Sequence, residues 1–137
     1  MTKVSFYVGS QSNLKDRLLL ACKLTEKALK HDMKVYIHTD GYATTKQLDE
    51  LMWTWSELSF MPHAEPPNEA PVLIGHDFEP VENCGYLINL STEQPVFFSR
   101  FERMAEILDQ TPEILEMGRD RYRFYQDRGY ELDYYKL

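Results

Sequence analysis

Four arginines share one stretch near the end of the sequence with several tyrosines, and their side chains are the best candidates for chemistry. Guanidinium groups beside aromatic rings hold a carboxylate in a partly apolar cleft through charge-assisted hydrogen bonds. The alternative is that these arginines pair with nearby Asp and Glu residues while their aliphatic stems cover the core. The stretch thus indicates either a carboxylate site or an ordinary charged helix surface. The four residues are Arg119, Arg121, Arg123 and Arg128.

A helix over residues 111–128 is expected to position these arginines. Thr111 is suited to cap it, and Pro112 fits its first position because the missing amide hydrogen costs nothing there. Gly129 is a typical stop signal just after the helix. The stretch therefore carries signals for both helix ends.

The helical period divides this stretch into a broad apolar face and an acidic face, but the arginines do not follow that division. Arg121 and Arg128 fall inside the apolar arc, Arg119 lies at its edge, and Arg123 lies near the acidic side. Cations inside an apolar arc are compatible with a carboxylate site and also with arginines that pair with nearby acidic residues. The apolar face consists of Ile114, Leu115, Met117, Gly118, Tyr122, Phe124 and Tyr125.

A second candidate site is an aromatic cluster within residues 51–71, which continues into a proline-rich loop. Trp, Phe and Met are enriched where proteins anchor their partners, so the cluster predicts a hydrophobic docking surface. Equally, two tryptophans and a Met-Pro pair at the edge of a sheet can be part of the core and its lid. The cluster comprises Trp53, Trp55, Phe60, Met61 and Pro62.

The elements around these stretches alternate between strands and helices. Such alternation favours parallel strand pairing with helices on both faces of the sheet. The sequence predicts one α/β domain over residues 1–137, a three-layer α/β/α arrangement with about five mostly parallel strands. Strands are predicted at residues 3–8, 34–38, 58–61, 71–75 and 85–90. Helices are predicted after a possible cap at Asn13, at 45–52 after a capping box of Thr44 and Gln47, and at 97–108 and 111–128.

Bulk composition narrows the class of protein. The 137 residues suffice for one domain with a real core, and 43% of them are apolar. The formal net charge of −7 opposes direct binding to a phosphate backbone. There is no apolar run near 18 residues and no signal-peptide core at the start, so we expect a cytoplasmic location.

The search for catalytic, metal and cofactor motifs is negative. The loop GSQSNLKD after the first strand lacks both the phosphate-binding GK[ST] pattern and the three spaced glycines of a dinucleotide site. Neither Cys22 nor Cys84 lies in a metal or nucleophile motif, and both are expected to be idle thiols. We therefore expect no catalytic residue, no metal and no cofactor. The histidines, which form no ligand pair at helical spacing, are His31, His38, His63 and His76.

Several segments, in one order and at one spacing, resemble the chi subunit of bacterial DNA polymerase III over nearly the whole chain. They are FYV near the start, LDELMWTWSELSFMPH, APVLIG, YLINLS, FFSRFERMAEILDQ and GRDRYRFYQDRGYEL. The resemblance implies a Rossmann-like fold without a nucleotide site. It also implies a non-catalytic accessory subunit of the clamp-loader complex in DNA replication.

The resemblance implies two protein partners that the subunit bridges. One is the psi subunit, which anchors it to the clamp loader, and a helicase-like repair protein is thought to compete for the same surface. By this similarity, the psi surface comprises Trp53, Phe60, Pro62 and the neighbouring Met61. An apolar helix or peptide would be buried against these residues.

The other implied partner is the single-stranded-DNA-binding protein, through its acidic C-terminal tail. By the same resemblance, Arg119 and Tyr122 form the tail pocket, with Arg123 beside them and Leu108 at an apolar position. Leu115 stands where the family carries a lysine, which would weaken the tail interaction unless Arg121 or Arg123 replaces that cation. Arg119 would clamp a carboxylate while the apolar residues receive the last side chain.

Two other classes of function stay open on the residues alone. The first is a small-molecule or nucleotide-dependent enzyme on the same scaffold, with its site at the carboxyl ends of the strands near residues 9–13 and 39–41. The second is direct binding of single-stranded nucleic acid by the arginine and tyrosine helix, which suits the local composition but not the net charge.

Overall fold

The computed structural model of the protein describes residues 1–55, 63–64, 70–80 and 85–137. Within these residues, seven strands form one sheet in the order β3-β4-β2-β5-β6-β1-β7, and all neighbouring strands are parallel. The strands are β1 (Lys3–Val8), β2 (Val35–His38), β3 (His63–Ala64), β4 (Val72–Gly75), β5 (Tyr86–Asn89), β6 (Arg103–Leu108) and β7 (Leu132–Lys136).

Helices cover both faces of the sheet, which confirms the predicted three-layer α/β/α fold. The helices α1 (Leu14–Lys30) and α2 (Tyr42–Thr54) pack on one face with residues of β2, β4, β5 and β6. On the other face lie α3 (Pro112–Asp127) and a short 3₁₀ helix (Phe98–Arg100), packed with β1 and β6. Parallel strands are commonly buried on both faces in this way because each crossover places a helix on the sheet.

Two of the predicted helix starts are confirmed and one is wrong. The Asn13 side chain accepts a hydrogen bond of 2.9 Å from the Asp16 amide and so caps α1. Thr111 is at the N-cap position of α3 with Pro112 in its first turn, so the predicted start is right, but the Thr111 side chain makes no capping hydrogen bond to the described helix. The capping box proposed for α2 is wrong because the helix already begins at Tyr42, after Gly41.

Four of the five predicted strands are confirmed as β1, β2, β4 and β5, whereas the predicted strand at 58–61 lies outside the described residues. The predicted helix at 97–108 is wrong. Its first part is the 3₁₀ helix and its second part is β6. Because β6 lies between β5 and β1 and is covered on both faces, all residues from 104 to 108 are buried, and a continuous buried run imitates a helical period.

The C-terminal segment forms the edge strand β7, which pairs with β1 from Leu132 to Lys136. Within the described ranges, no helix combines the length and the apolar character needed to cross a membrane.

Candidate functional site

A surface cavity of about 430 Å³ lies between α3, the end of β6 and β7, and we call it the α3 cavity. Its floor is apolar and two guanidinium groups stand at its lining. Three of the five residues predicted for a carboxylate site are on α3 and line it, and Leu108 at the end of β6 joins them. The described lining residues are Leu108, Leu115, Gly118, Arg119, Tyr122, Arg123 and Tyr134.

The close approach of α3 to the end of β6 depends on Gly118. A Cβ atom added to Gly118 would lie 2.3 Å from Cδ1 of Leu108, far closer than any real carbon contact. Leu108 itself is buried, with 2% of its surface exposed. The absent side chain at Gly118 therefore lets Leu108 form the floor of the α3 cavity.

The two cations of the α3 cavity are exposed and differ in their partners. Arg123 donates a 2.5 Å hydrogen bond to the carboxylate of Asp120, one turn earlier on the exposed surface. Arg119 makes no ion pair with any residue in the described ranges, so its guanidinium is available to a ligand. A second cavity of about 510 Å³ continues along α3 and shares Leu115, Arg119 and Arg123 with the first. The two guanidinium groups thus stand between two adjoining depressions that together could seat an extended peptide.

Tyrosine rings form the wall of the α3 cavity nearest the sheet edge. Tyr122 of α3 packs on Phe6 of β1 at 5.2 Å between ring centroids. Tyr134 of β7 meets Tyr122 edge to face at 6.2 Å. Tyr134 was not among the predicted site residues, because its place in the cavity depends on β7 pairing with β1. Leu132, Tyr134 and Tyr135 favour a strand, but the segment LDYYK lacks the strict alternation that would have identified one.

Arg121 does not line the α3 cavity. It is 7% exposed and points to the sheet, where its Nε lies 3.1 Å from Oε2 of Glu106 on β6. Its Nη1 also donates a 3.2 Å hydrogen bond to the carbonyl of Thr92. Arg121 is therefore a structural arginine that pairs with an acidic residue of the core. It is not part of the ligand site. Arg128 stacks on the ring of Phe124 at 3.6 Å, which also gives it a structural partner.

Glu106 is the fully buried centre of a polar network that joins β5, β6 and α3. Its two carboxylate oxygens accept hydrogen bonds of 2.9 Å from Asn89 and from the Tyr125 hydroxyl. Burial raises the pKa of Glu106, while Arg121, Tyr125 and Asn89 oppose that rise by stabilising its charge. Sequence reasoning missed this network, since a lone Glu in an apolar run gives no sign of its partners.

The predicted docking residues are only partly described. Trp53 is 56% exposed near the end of α2, and Tyr42, which is 61% exposed, begins the same helix three turns earlier. Trp55 is half-buried, and its indole N–H donates a 2.7 Å hydrogen bond to Glu26 of α1. Trp53 therefore presents more than half of its surface to solvent, whereas Trp55 belongs to the contact between α1 and α2. The other predicted docking residues, Phe60, Met61 and Pro62, lie outside the described residues.

Another cavity lies at the carboxyl ends of β1 and β6, the position where open parallel sheets usually bind ligands. Its volume is about 420 Å³, and Gly9, Gln11, Arg17 and Asp109 are among its lining residues. The Nε of Arg17 lies 3.7 Å from Oδ2 of Asp109, and neither atom hydrogen-bonds to a described residue. In the part of the chain that the structure describes, no group of three or more His, Cys, Asp or Glu residues could hold a metal.

The fold and the α3 cavity together define a Rossmann-like α/β domain with a surface groove that combines arginines, tyrosines and an apolar floor. Residues 1–133 match the family described as "DNA polymerase III chi subunit, HolC". The chain therefore belongs to the DNA polymerase III chi subunit family.

Two curated relatives agree with this assignment. The chain is 40% identical to DNA polymerase III subunit chi of Pseudomonas aeruginosa over 139 residues, covering 100% of this chain and 98% of the relative. It is 24% identical to DNA polymerase III subunit chi of Escherichia coli (strain K12) over 142 residues, covering 97% of each. As a chi subunit, the protein belongs to a replicative DNA polymerase complex and has protein partners within it.

Proposed function

We propose that the protein is a non-catalytic bridge that links the clamp loader, through the psi subunit, to single-stranded-DNA-binding protein in the cytoplasm. The single observation that carries the proposal is the α3 cavity, where Arg119, which pairs with no described acidic residue, stands beside an apolar floor and two tyrosines. Such a cavity suits an acidic C-terminal tail, which offers carboxylates together with a final apolar side chain. Arg119 binds the carboxylate and the floor receives the side chain.

The residues of the α3 cavity contribute differently to binding of the tail. Arg119 and Arg123 are one helical turn apart on the same face of α3, so both guanidinium groups reach one side of a bound tail. Arg123 must share its charge with Asp120, so Arg119 is the principal clamp and Arg123 is an auxiliary cation. Leu108, Leu115 and the tyrosine rings exclude water around the last side chain, which strengthens the ion pair.

Leu115 replaces a cation that the family resemblance places in this pocket. Because Leu115 lines both adjoining depressions, its replacement of a lysine removes one charge from the centre of the groove. Arg123 lies in the same two linings and is the residue that compensates for this loss. We therefore propose that both arginines are needed here for tail binding.

The psi contact is proposed at the exposed face of α2. Trp53 offers a large apolar side chain that is more than half exposed, and buried tryptophans are frequent hot spots of protein interfaces. Phe60, Met61 and Pro62, which follow α2 in the chain, complete the proposed surface. The helicase-like repair protein that the family resemblance suggests would compete with psi for Trp53.

The experiment that tests the bridge is reconstitution of the protein with psi and single-stranded-DNA-binding protein, followed by size-exclusion chromatography. Wild type should elute in one complex with both partners. Trp53→Ala should lose psi and keep the other partner, and Arg119→Ala should do the reverse. Tyr42→Ala is the matched control for Trp53 because Tyr42 is an exposed aromatic residue on the same helix. Retention of both partners by both variants would refute the proposed surfaces.

A second candidate function is supported by the cavity at the carboxyl ends of β1 and β6. The buried, incompletely hydrogen-bonded pair of Arg17 and Asp109 resembles the polar groups that orient a small ligand. A thermal-shift screen with nucleotides and small metabolites tests this alternative. Saturable stabilisation that Asp109→Asn abolishes would favour a small-molecule enzyme over a purely structural bridge.

A further inference from the structure

A third cavity, which we call the α1 cleft, lies on the face of the sheet opposite the α3 cavity. It has a volume of about 290 Å³ and lies between the C-terminal half of α1 and the strands β1, β5 and β6. Its floor belongs to the hydrophobic cluster under α1, whereas the α3 cavity borders the cluster under α3. The described lining residues are Tyr7, Leu24, Lys27, Ala28, His31, Met33, Tyr86 and Arg103.

The ionisable side chains that line the α1 cleft include three basic groups and no carboxylate among the described residues. Lys27 lies in the last turn of α1, His31 is the C-cap residue that follows it, and Arg103 starts β6 on the other side of the cleft. None of the three forms an ion pair with a described residue, although the protein carries a formal net charge of −7. A concentration of unpaired basic groups on an acidic protein creates a local positive potential that attracts an anion.

Two tyrosines at the same place share a hydrogen bond with each other, which leaves one of the two hydroxyl groups to donate to a ligand. Tyr7 stacks on Tyr135 of the edge strand at 5.1 Å, and Tyr86 is the register neighbour of Arg103 on the adjacent strand. Burial raises the pKa of both Tyr7 and Tyr86, so their hydroxyl groups stay protonated at neutral pH. A protonated phenol donates a hydrogen bond to a carboxylate, which adds to the attraction of the basic groups.

The geometry points to a second peptide site in the α1 cleft: we propose that it binds an acidic segment of a partner protein through Lys27, Arg103 and His31. The carboxylates of the segment meet the basic groups and the phenol hydroxyl that is not used between Tyr7 and Tyr86. An adjacent apolar side chain is buried against Leu24 and Met33, which form the floor of the cleft. The site has the same combination of cations, tyrosines and apolar floor as the α3 cavity, but it is separated from it by the sheet.

Charge around the cleft favours a short acidic peptide over a nucleic-acid strand. Asp133 lies near Tyr7 and pairs with Lys3 at 3.2 Å, and Glu102 directly precedes Arg103. A strand of nucleic acid carries phosphates at a fixed spacing and would bring some of them against these carboxylates. A peptide needs only two or three acidic residues inside the cleft, and its apolar side chain uses a floor that a phosphate backbone would leave empty.

The test uses the peptide fluoresceinyl-Asp-Asp-Asp-Leu-amide, which lacks the α-carboxylate of a protein C-terminus and so removes the terminal carboxylate from any contact with Arg119. Fluorescence anisotropy at low salt should show saturable binding by wild type. Lys27→Gln should weaken it by about threefold and Arg103→Gln by about tenfold. Methyl NMR signals of Leu24 and Met33 should shift on titration, while those of Leu108 and Leu115 should stay in place.

Two controls separate this proposal from the tail site. Lys15→Gln changes the same charge on an exposed residue of α1 outside the cleft and should bind like wild type. Arg119→Ala should also bind like wild type, even if it loses the tail of single-stranded-DNA-binding protein. The proposal is overturned if wild type does not bind, if Lys27→Gln and Arg103→Gln bind equally well, or if only Leu108 and Leu115 shift. Stronger binding of a thymidine oligonucleotide that depends on Arg103 would also overturn it.

Discussion

Arg119, Arg121 and Arg123 alternate along one helix but meet different surroundings. Arg119 and Arg123 are four residues apart and share one face of α3, whereas Arg121 is rotated by about 200° from each and faces the sheet. There it pairs with the buried Glu106. The helical period alone separates the two sets, as the sequence already indicated by placing Arg121 in the apolar arc. The identity of its partner depends on β6, which the sequence did not reveal.

Gly118 gives a residue-scale prediction about the α3 cavity. In Gly118→Ala, the new methyl group would overlap Leu108, whose side chain can relieve the overlap only by turning into the cavity. Alanine stabilises a helix interior by about 1 kcal/mol relative to glycine, which offsets part of the cost of this movement. We therefore expect a change of less than about 1 kcal/mol in the free energy of unfolding, together with a loss of about tenfold in tail affinity.

Urea unfolding and peptide anisotropy measure the two effects of Gly118→Ala separately. Leu108→Ala is the matched comparison, since it removes the floor of the cavity instead of displacing it. Full tail affinity in Gly118→Ala would show that Leu108 does not form the binding floor.

At the scale of elements, the network around Glu106 joins β5, β6 and α3 and fixes the helix that carries the α3 cavity. Glu106→Gln keeps the shape of the side chain but leaves the charge of Arg121 buried without its counter-charge. Losing one partner of a buried ion pair typically costs about 3 kcal/mol or more. We expect a decrease of this size in the free energy of unfolding, measured by urea denaturation. A decrease below about 1 kcal/mol would mean that the pair does not hold α3 in place.

The contact between α1 and α2 gives a pH prediction. Hydrogen bonding by Trp55, and to a lesser degree by Lys30, holds the pKa of Glu26 below its ordinary value of 4.5. Because the folded pKa is lowered, the stabilising contribution of this bond is present above pH 4.5 and is lost as pH falls through the folded pKa.

An NMR titration of the Trp55 indole N–H measures that midpoint directly. The chemical shift of the indole N–H should change with a midpoint below pH 4.5. In Trp55→Phe, the Glu26 carboxyl should titrate at a higher pH than in wild type. A wild-type midpoint at or above 4.5, or no effect of Trp55→Phe on Glu26, would contradict the assigned cause.

The elements show how far sequence reasoning reaches in this fold. Residues 3–8 and 111–128 carry their own signals, an apolar β-branched run and a capped amphipathic pattern, so β1 and α3 could be predicted nearly to their ends. The strand β6 could not, because a central parallel strand is buried on both faces and loses its alternation. The edge strand β7 could not be assigned either, because its partner β1 is over a hundred residues away in the sequence.

Across the whole molecule, the site residues that are close in sequence could be predicted, whereas those that only the tertiary fold brings together could not. Arg119, Tyr122 and Arg123 are close in sequence and were predicted together, while Tyr134 comes to the cavity only through the pairing of β7 with β1. Trp53 lies on α2, on the face of the sheet opposite α3. Trp53, the described residue of the proposed psi surface, and the proposed tail cavity are therefore separated by the full thickness of the sheet.

This separation predicts that psi and the acidic tail bind at the same time and independently. Calorimetric titration of the tail peptide into the protein alone and into its complex with psi should give affinities within about twofold of each other. Trp53→Ala is the control, because it should lose psi without changing the affinity for the tail. Competition between the two partners would contradict the proposed placement of the two surfaces.

Fluorescence anisotropy can show whether Arg119 clamps a carboxylate in the α3 cavity. A labelled peptide with the acidic C-terminus of the cognate single-stranded-DNA-binding protein is titrated with wild type and Arg119→Ala, with an amidated peptide as the control. We expect saturable binding that weakens with added salt, by about tenfold or more in Arg119→Ala, and on amidation. No binding by wild type at low salt, or equal binding by Arg119→Ala, would contradict the clamp.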